Sequence, residues 1–151
     1  KMTKESMEFV QGVPFWGGGP GITEGETGSA YGVLVAVEPE TRQVKWRYQD
    51  KYPLMGGALA TKGGLVFSGN QSGYALALDD ESGEVLWKFQ TGSSIRSQPI
   101  TWQMDGKQFI AIPSGGGGIA AAIVGAPPME TYGSALFVFS LPETDFKWFW
   151  Q

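Results

Sequence analysis

Histidine and cysteine are both absent from the 151 residues. A His general base, a thiol nucleophile, a disulfide and a His/Cys metal site are therefore excluded for this chain. The remaining candidates for chemistry are carboxylate clusters, glycine runs, a thioether and an arginine. Asp79-Asp80-Glu81-Ser82-Gly83 has the oxygen-rich, glycine-ended look of a calcium loop. It also sits at a turn that recurs elsewhere in the chain, and a solvated turn is the simpler reading. Gly115-Gly116-Gly117-Gly118 follows an apolar run and would let backbone approach a flat ligand closely, because glycine has no Cβ. Met55, in Pro53-Leu54-Met55-Gly56-Gly57, offers a polarizable thioether beside two glycines. Arg96 could pair with an anion or bridge two structural units. Trp16-Gly17-Gly18-Gly19-Pro20 lacks the Lys-Ser/Thr ending of a phosphate loop and reads as a surface insertion.

The elements that position these residues are short. Glycine (23) and proline (9) are frequent and 13% of residues are aromatic, the texture of an all-β protein with many turns. The formal net charge is −4 and no basic run occurs, which disfavours binding to nucleic acid or an anionic membrane. No stretch approaches the roughly 20 apolar residues of a membrane span. Lys1–Val10 is polar and does not read as a secretory signal.

Two segments recur at a constant offset of about 41 residues, in the range of propeller blades and helical repeats. Gly32, Ala36, Trp46 and Gln49 of the first answer Gly73, Ala77, Trp87 and Gln90 of the second. Leu59-Ala60-Thr61 answers Ile100-Thr101-Trp102, and Leu65–Gly69 answers Gln108–Ile112 two residues late. Apolar runs too short for helices alternate with turns such as Glu38-Pro39-Glu40-Thr41-Arg42, so the units are expected to be four-stranded blades, about 32–69 and 73–112. A strand over about 134–141, stopped by Pro142, is expected to close the ring against another blade. Two blades cannot bury both their faces, so the rest of a propeller is expected on another chain or a missing N-terminal part. Trp148 and Trp150, with Phe146 and Phe149, make an apolar tail expected to dock on protein surface.

The strand-turn-Trp units, above all Ala77-Leu78-Asp79-Asp80-Glu81-Ser82-Gly83-Glu84-Val85-Leu86-Trp87, resemble the tryptophan-docking repeats of pyrroloquinoline quinone (PQQ)-dependent alcohol dehydrogenases. In the first unit Arg42 stands where the turn glycine is expected. Gly63–Gly69, Trp87–Gly92, Pro99-Ile100-Thr101, Asp105–Phe109, Ser114–Gly118 and Gly133–Leu141 follow in that family's order, covering roughly residues 30–141. The resemblance implies the C-terminal blades, about two plus a closing strand, of an eight-bladed periplasmic propeller. It further implies PQQ with Ca²⁺ or a lanthanide ion, alcohol oxidation, and a cytochrome c-type electron acceptor. The family's catalytic Asp and metal ligands lie in earlier blades and map to no residue here, so this chain alone is expected to be inactive. Its implied contribution is one side of the cofactor pocket, through Met55, Gly56, Gly118 and Ile119. Met55 and Ile119 stand where the family carries Trp, which implies a wider cavity or an unusual alcohol. A different reading, a non-catalytic propeller scaffold with the same repeats, is favoured by the loss of both tryptophans. A sugar-binding propeller is weaker, because Trp46 and Trp87 are too regularly placed to be ligand platforms.

Overall fold

A computed structural model describes residues 2–3, 11, 19–20, 31–115 and 133–141. The chain divides into two units, Lys1–Ala30 and Tyr31–Gln151. In the first, β1 (Met2–Thr3) pairs antiparallel with β2 (Gly19–Pro20). The second carries all the elements that matter below, and its described residues are strands and turns without a helix.

Its strands form three antiparallel sheets. β3 (Gly32–Val37) pairs with β4 (Val44–Asp50). β5 (Leu59–Thr61), β6 (Leu65–Gly69), β7 (Tyr74–Asp79) and β8 (Val85–Gln90) form a four-stranded meander in chain order. β9 (Ile100–Met104), β10 (Lys107–Ser114) and β11 (Ala135–Ser140) form the third sheet.

The sheets are half a repeat out of phase with the expected units 32–69 and 73–112. Each of those units begins with the last two strands of one sheet and ends with the first two of the next. A sequence period has no intrinsic starting point, and only the hydrogen bonds decide which four strands pair. β6, expected to be the last strand of its unit, lies inside its sheet between β5 and β7. The 134–141 strand hydrogen-bonds to β10 along its full length, with Ile112 opposite Phe137. The register also moves the second match. Leu59 faces Phe67 and Ile100 faces Ala111, so Phe67 corresponds to Ala111, three residues late rather than two. The longer β9–β10 hairpin, turning at Asp105-Gly106, absorbs the difference.

β7 explains why the middle sheet is central. Its residues Ala75–Leu78 are all buried, whereas a strand with one wet face would alternate. Leu76 and Leu78 pack with Val66 and Trp46 against the first sheet. Ala75 on the other face packs with Ile95, Ile110 and Ile112 toward the third. Each core is thus shared between consecutive sheets.

The turn after β7 has its own logic. Asp79 Oδ1 accepts hydrogen bonds from the backbone N–H of Glu81 (3.1 Å) and Ser82 (2.8 Å) and from the Ser82 hydroxyl (2.8 Å). These bonds, led by those from Ser82, hold its carboxyl below the usual range. The carboxylate is therefore occupied as a turn former, in line with the solvated-turn reading. Gly83 closes the turn at φ 75°, and its N–H donates to the Asp79 carbonyl at 2.9 Å. In the first sheet Arg42 takes the same conformation, φ 59°, so the turn keeps its shape without glycine.

Candidate functional site

Antiparallel order collects the loops at two ends of the sheets. One end carries the turns at Glu38–Arg42, Lys62–Gly64, Asp79–Gly83 and Asp105-Gly106. The other carries the loop before β5, the turn Asn70–Gly73, the linker after β8 and the segment after β10. Both segments expected to face a cofactor, 53–57 and the glycine run from Gly115, leave from this second end.

The linker Ser93–Gln98 braces both. Gly56 lies so close to it that an added Cβ would stand 3.2 Å from the Ser97 carbonyl oxygen and 3.5 Å from those of Ile95 and Gly69. On the other side the Gly115 N–H donates to the Ser94 carbonyl at 2.9 Å. Ile95, fully buried, fills the space that a side chain at Gly69 would need. Met55 is exposed at this end. Gly118 and Ile119 lie outside the described residues.

Two polar joints tie neighbouring sheets together here. Asp50, at the end of β4, is buried and accepts from Tyr48 Oη (3.0 Å), Asn70 Nδ2 (2.8 Å) and the Tyr52 N–H (3.1 Å). Burial, with this bond to Asp50, pushes the Tyr48 phenol up to about 12. At the equivalent place after β8, Thr91 Oγ1 lies 2.7 Å from Ser114 Oγ, and the Ser114 hydroxyl donates to the Ser93 carbonyl at 2.9 Å. Asp50 was not singled out from sequence. Its signal is positional: it follows Trp46 and Gln49 as Thr91 follows Trp87 and Gln90.

Three buried donors at this end have no partner among the described residues: Gln71 Nε2, Ser94 Oγ and Arg96 Nε. Arg96 is itself only half-buried. An exposed thioether, a close-packed glycine backbone and a half-buried guanidinium suit a flat, acceptor-rich, anionic group such as PQQ. No cluster of His, Cys, Asp and Glu among the described residues could hold a metal ion.

At the opposite end the tryptophan docks. The Trp46 indole N–H donates to the Asp80 carbonyl at 2.8 Å, and its ring lies on Gly83, where an added Cβ would meet ring atoms at 2.7 Å. Lys45 adds a 2.8 Å ion pair to Glu81, the main reason its ammonium is held above its usual pKa. A tryptophan on the outer strand of one sheet, seated on the Asp-to-Gly turn of the next, defines a segment of a tryptophan-docked β-propeller.

Comparison with known proteins gives that class a name. Residues 51–110 match the family described as glucose/ethanol/alcohol dehydrogenase, β-propeller domain, of the PQQ type. A quinoprotein ethanol dehydrogenase of Pseudomonas putida is 45% identical over 121 residues, covering 77% of this chain and 19% of that protein. Subunit 1 of the methanol dehydrogenase [cytochrome c] of Paracoccus denitrificans is 35% identical over 100 residues, covering 66% of this chain and 16% of that protein. Among solved structures, a europium-containing methanol dehydrogenase superposes with a TM-score of 0.66 at 32% identity, covering 74% of this chain and 23% of the other. Residues 51–110 thus belong to the PQQ-type β-propeller domain family, and the chain is similar to one part of PQQ-dependent alcohol dehydrogenases, spanning about a fifth of the length of the curated relatives it matches.

Proposed function

We propose that this chain is the C-terminal part of a quinoprotein that oxidises an alcohol with PQQ and passes the electrons to a cytochrome c-type acceptor in the periplasm. The observation that carries the reading is the convergence of both cofactor-facing segments on one linker, in a chain 45% identical to a quinoprotein ethanol dehydrogenase. PQQ, when bound, accepts the two electrons released by the alcohol. The role of this chain is placement. Met55 and Gly56, with Gly118 and Ile119, wall the cofactor, and Arg96 supplies positive charge at the same end. The acid-base group and the ligands of the Ca²⁺ or lanthanide ion come from the remainder of the propeller. A cytochrome c acceptor is supported by relatives whose names include it. Those relatives are dehydrogenases, and they lend nothing to the scaffold alternative.

The test is reconstitution of the complete protein after removal of cofactor and metal. Alcohol-dependent reduction of an artificial acceptor or of cytochrome c should return only with PQQ together with Ca²⁺ or a lanthanide ion. Failure to bind PQQ under either metal would overturn the reading. Met55→Trp should raise KM for bulky alcohols more than for ethanol while PQQ binding persists, because it narrows the space beside the cofactor.

A further inference from the structure

We infer that Arg96 selects the substrate: its guanidinium holds a carboxylate on the alcohol, so that the preferred alcohols are hydroxy acids with an apolar body. The inference rests on the quinoprotein reading and adds a substrate class to it.

The first ground is the repeat. Leu59 and Ile100 each open the first strand of their sheet. Counting back from them without a gap sets Arg96 at the place of Met55, Ser97 at that of Gly56 and Gln98 at that of Gly57. The fold brings these equivalent residues together. A Cβ on Gly56 would stand 3.2 Å from the Ser97 carbonyl oxygen, and one on Gly57 would meet the Gln98 side chain. Met55 and Arg96 each precede this contact by one residue, one on the approach to β5 and the other on the approach to β9. An exposed thioether and a half-buried guanidinium therefore flank one contact between consecutive sheets.

The second ground is anchoring. The Ile95 N–H donates to the Asn70 carbonyl at 3.0 Å, the Ser94 carbonyl accepts from Gly115, and the Ile95 side chain is buried against Gly69. The backbone leading into Arg96 is thus held on both sides. Its Nε is enclosed and has no acceptor among the described residues. A guanidinium with a fixed root loses little freedom on binding, and its planar fork matches a carboxylate better than a lone hydroxyl.

The third ground is charge. Among the described carboxylates only Asp50 stands at this end, and three donors already occupy it. The others, from Glu38 to Asp105, lie in or beside the turns of the opposite end. Lys51 and Arg96 add positive charge here, and Lys51 lies over the Tyr52 ring at 5.3 Å. Such a separation draws an anion to the end where the cofactor-facing segments gather. A thioether and a guanidinium at equivalent places suit an apolar chain that ends in a carboxylate. PQQ carries carboxylates too, and the experiment separates the two sources.

The complete protein, loaded with PQQ and metal, is assayed with 6-hydroxyhexanoate and with 1,6-hexanediol. Arg96→Met should lower the ratio of kcat/KM for the hydroxy acid to that for the diol about tenfold or more, chiefly through KM. Arg96→Lys, which keeps the charge and loses the fork, should fall between. The ratio does not depend on how much of a preparation is folded. PQQ affinity, titrated without alcohol, is the second readout. An unchanged ratio overturns the inference, and an unchanged ratio with weakened PQQ affinity assigns the charge to the cofactor instead. A wild-type protein that takes up no PQQ overturns the quinoprotein reading and this inference with it.

Discussion

The joint between the first and middle sheets and the joint between the middle and third occupy equivalent positions but are finished differently. At the first, Trp46 is buried at 8% exposure, hydrogen-bonded to the Asp80 carbonyl and seated on Gly83. At the second, Trp87 is 37% exposed and meets Phe139 edge-on at 4.9 Å. The polar ends differ likewise. Asp50 gathers three donors, whereas Thr91 and Ser114 share hydroxyls. A docked indole needs a turn to dock on: Gly83 supplies the floor for Trp46, while the residues following β11, where the matching turn would fall, lie beyond those described. Among the described residues Trp87 stacks on Phe89 and meets Phe139 edge-on, and Phe89 in turn packs on Phe137. Among the described residues, the same residue type at the same repeat position meets a backbone carbonyl in one joint and aromatic rings in the other.

Removing the two tryptophans is the harshest way to break the comparison. Trp46→Ala should cost about 3–5 kcal/mol in chemical denaturation of the complete protein, through the lost ring and the carbonyl left without its donor. Trp87→Ala should cost about half as much, since the ring starts partly exposed. Equal losses would mean the two indoles are equally docked.

The polar ends give a smaller contrast. Asp50→Ala leaves Asn70 Nδ2 and the Tyr48 hydroxyl without their acceptor and should cost about 2–3 kcal/mol, against about 1 kcal/mol for Thr91→Val. A double-mutant cycle of Asp50 with Asn70 isolates the shared bond.

Tyr48 sharpens the first joint by pH. Its phenol ionises near pH 10 in the unfolded chain and is pushed up to about 12 in the fold, so above pH 10 the unfolded state binds fewer protons. Stability should therefore fall as pH rises from about 10 toward 12, and Tyr48→Phe should flatten that part of the pH dependence. A slope unchanged in the variant would place the titration elsewhere.

The smallest effect concerns the turn in the first sheet that corresponds to Asp79–Gly83. Arg42→Gly should stabilise the protein by about 1 kcal/mol, because only glycine adopts φ 59° without strain. Gly83→Arg, the reciprocal change, should do the opposite and also unseat Trp46.

Much of this was legible in the sequence for reasons specific to each residue. Trp46, Trp87, Ala36 and Ala77 announced the repeat because the same cross-strand pairs, Ala36–Trp46 and Ala77–Trp87, recur in the sheets. The phase of the sheets was not legible, since β6 reads equally well as the last strand of one unit or the second of another until its hydrogen bonds are known. The three-residue slip at β10 was hidden for a similar reason: Ile110 and Ala111 both look like counterparts of the half-buried Phe67, and only the register opposite Thr101 and Ile100 separates them. Of the site, Met55 and Gly56 were found at the end where the loops gather. Asp50 escaped notice because a single carboxylate after a strand has no local signature, and its role depends on Asn70, far along the chain.

The linker Ser93–Gln98 gives segment 53–57 and the start of the glycine run at Gly115 a common reference surface. Gly56 rests on its carbonyls and Gly115 hangs from Ser94, with Ile95 wedged beneath against Gly69. A change of volume at Ile95 therefore cannot displace one segment without disturbing the anchor of the other. Position 95 thus acts as a gauge that sets the spacing of both segments at once, while exposed position 55 bears on only one.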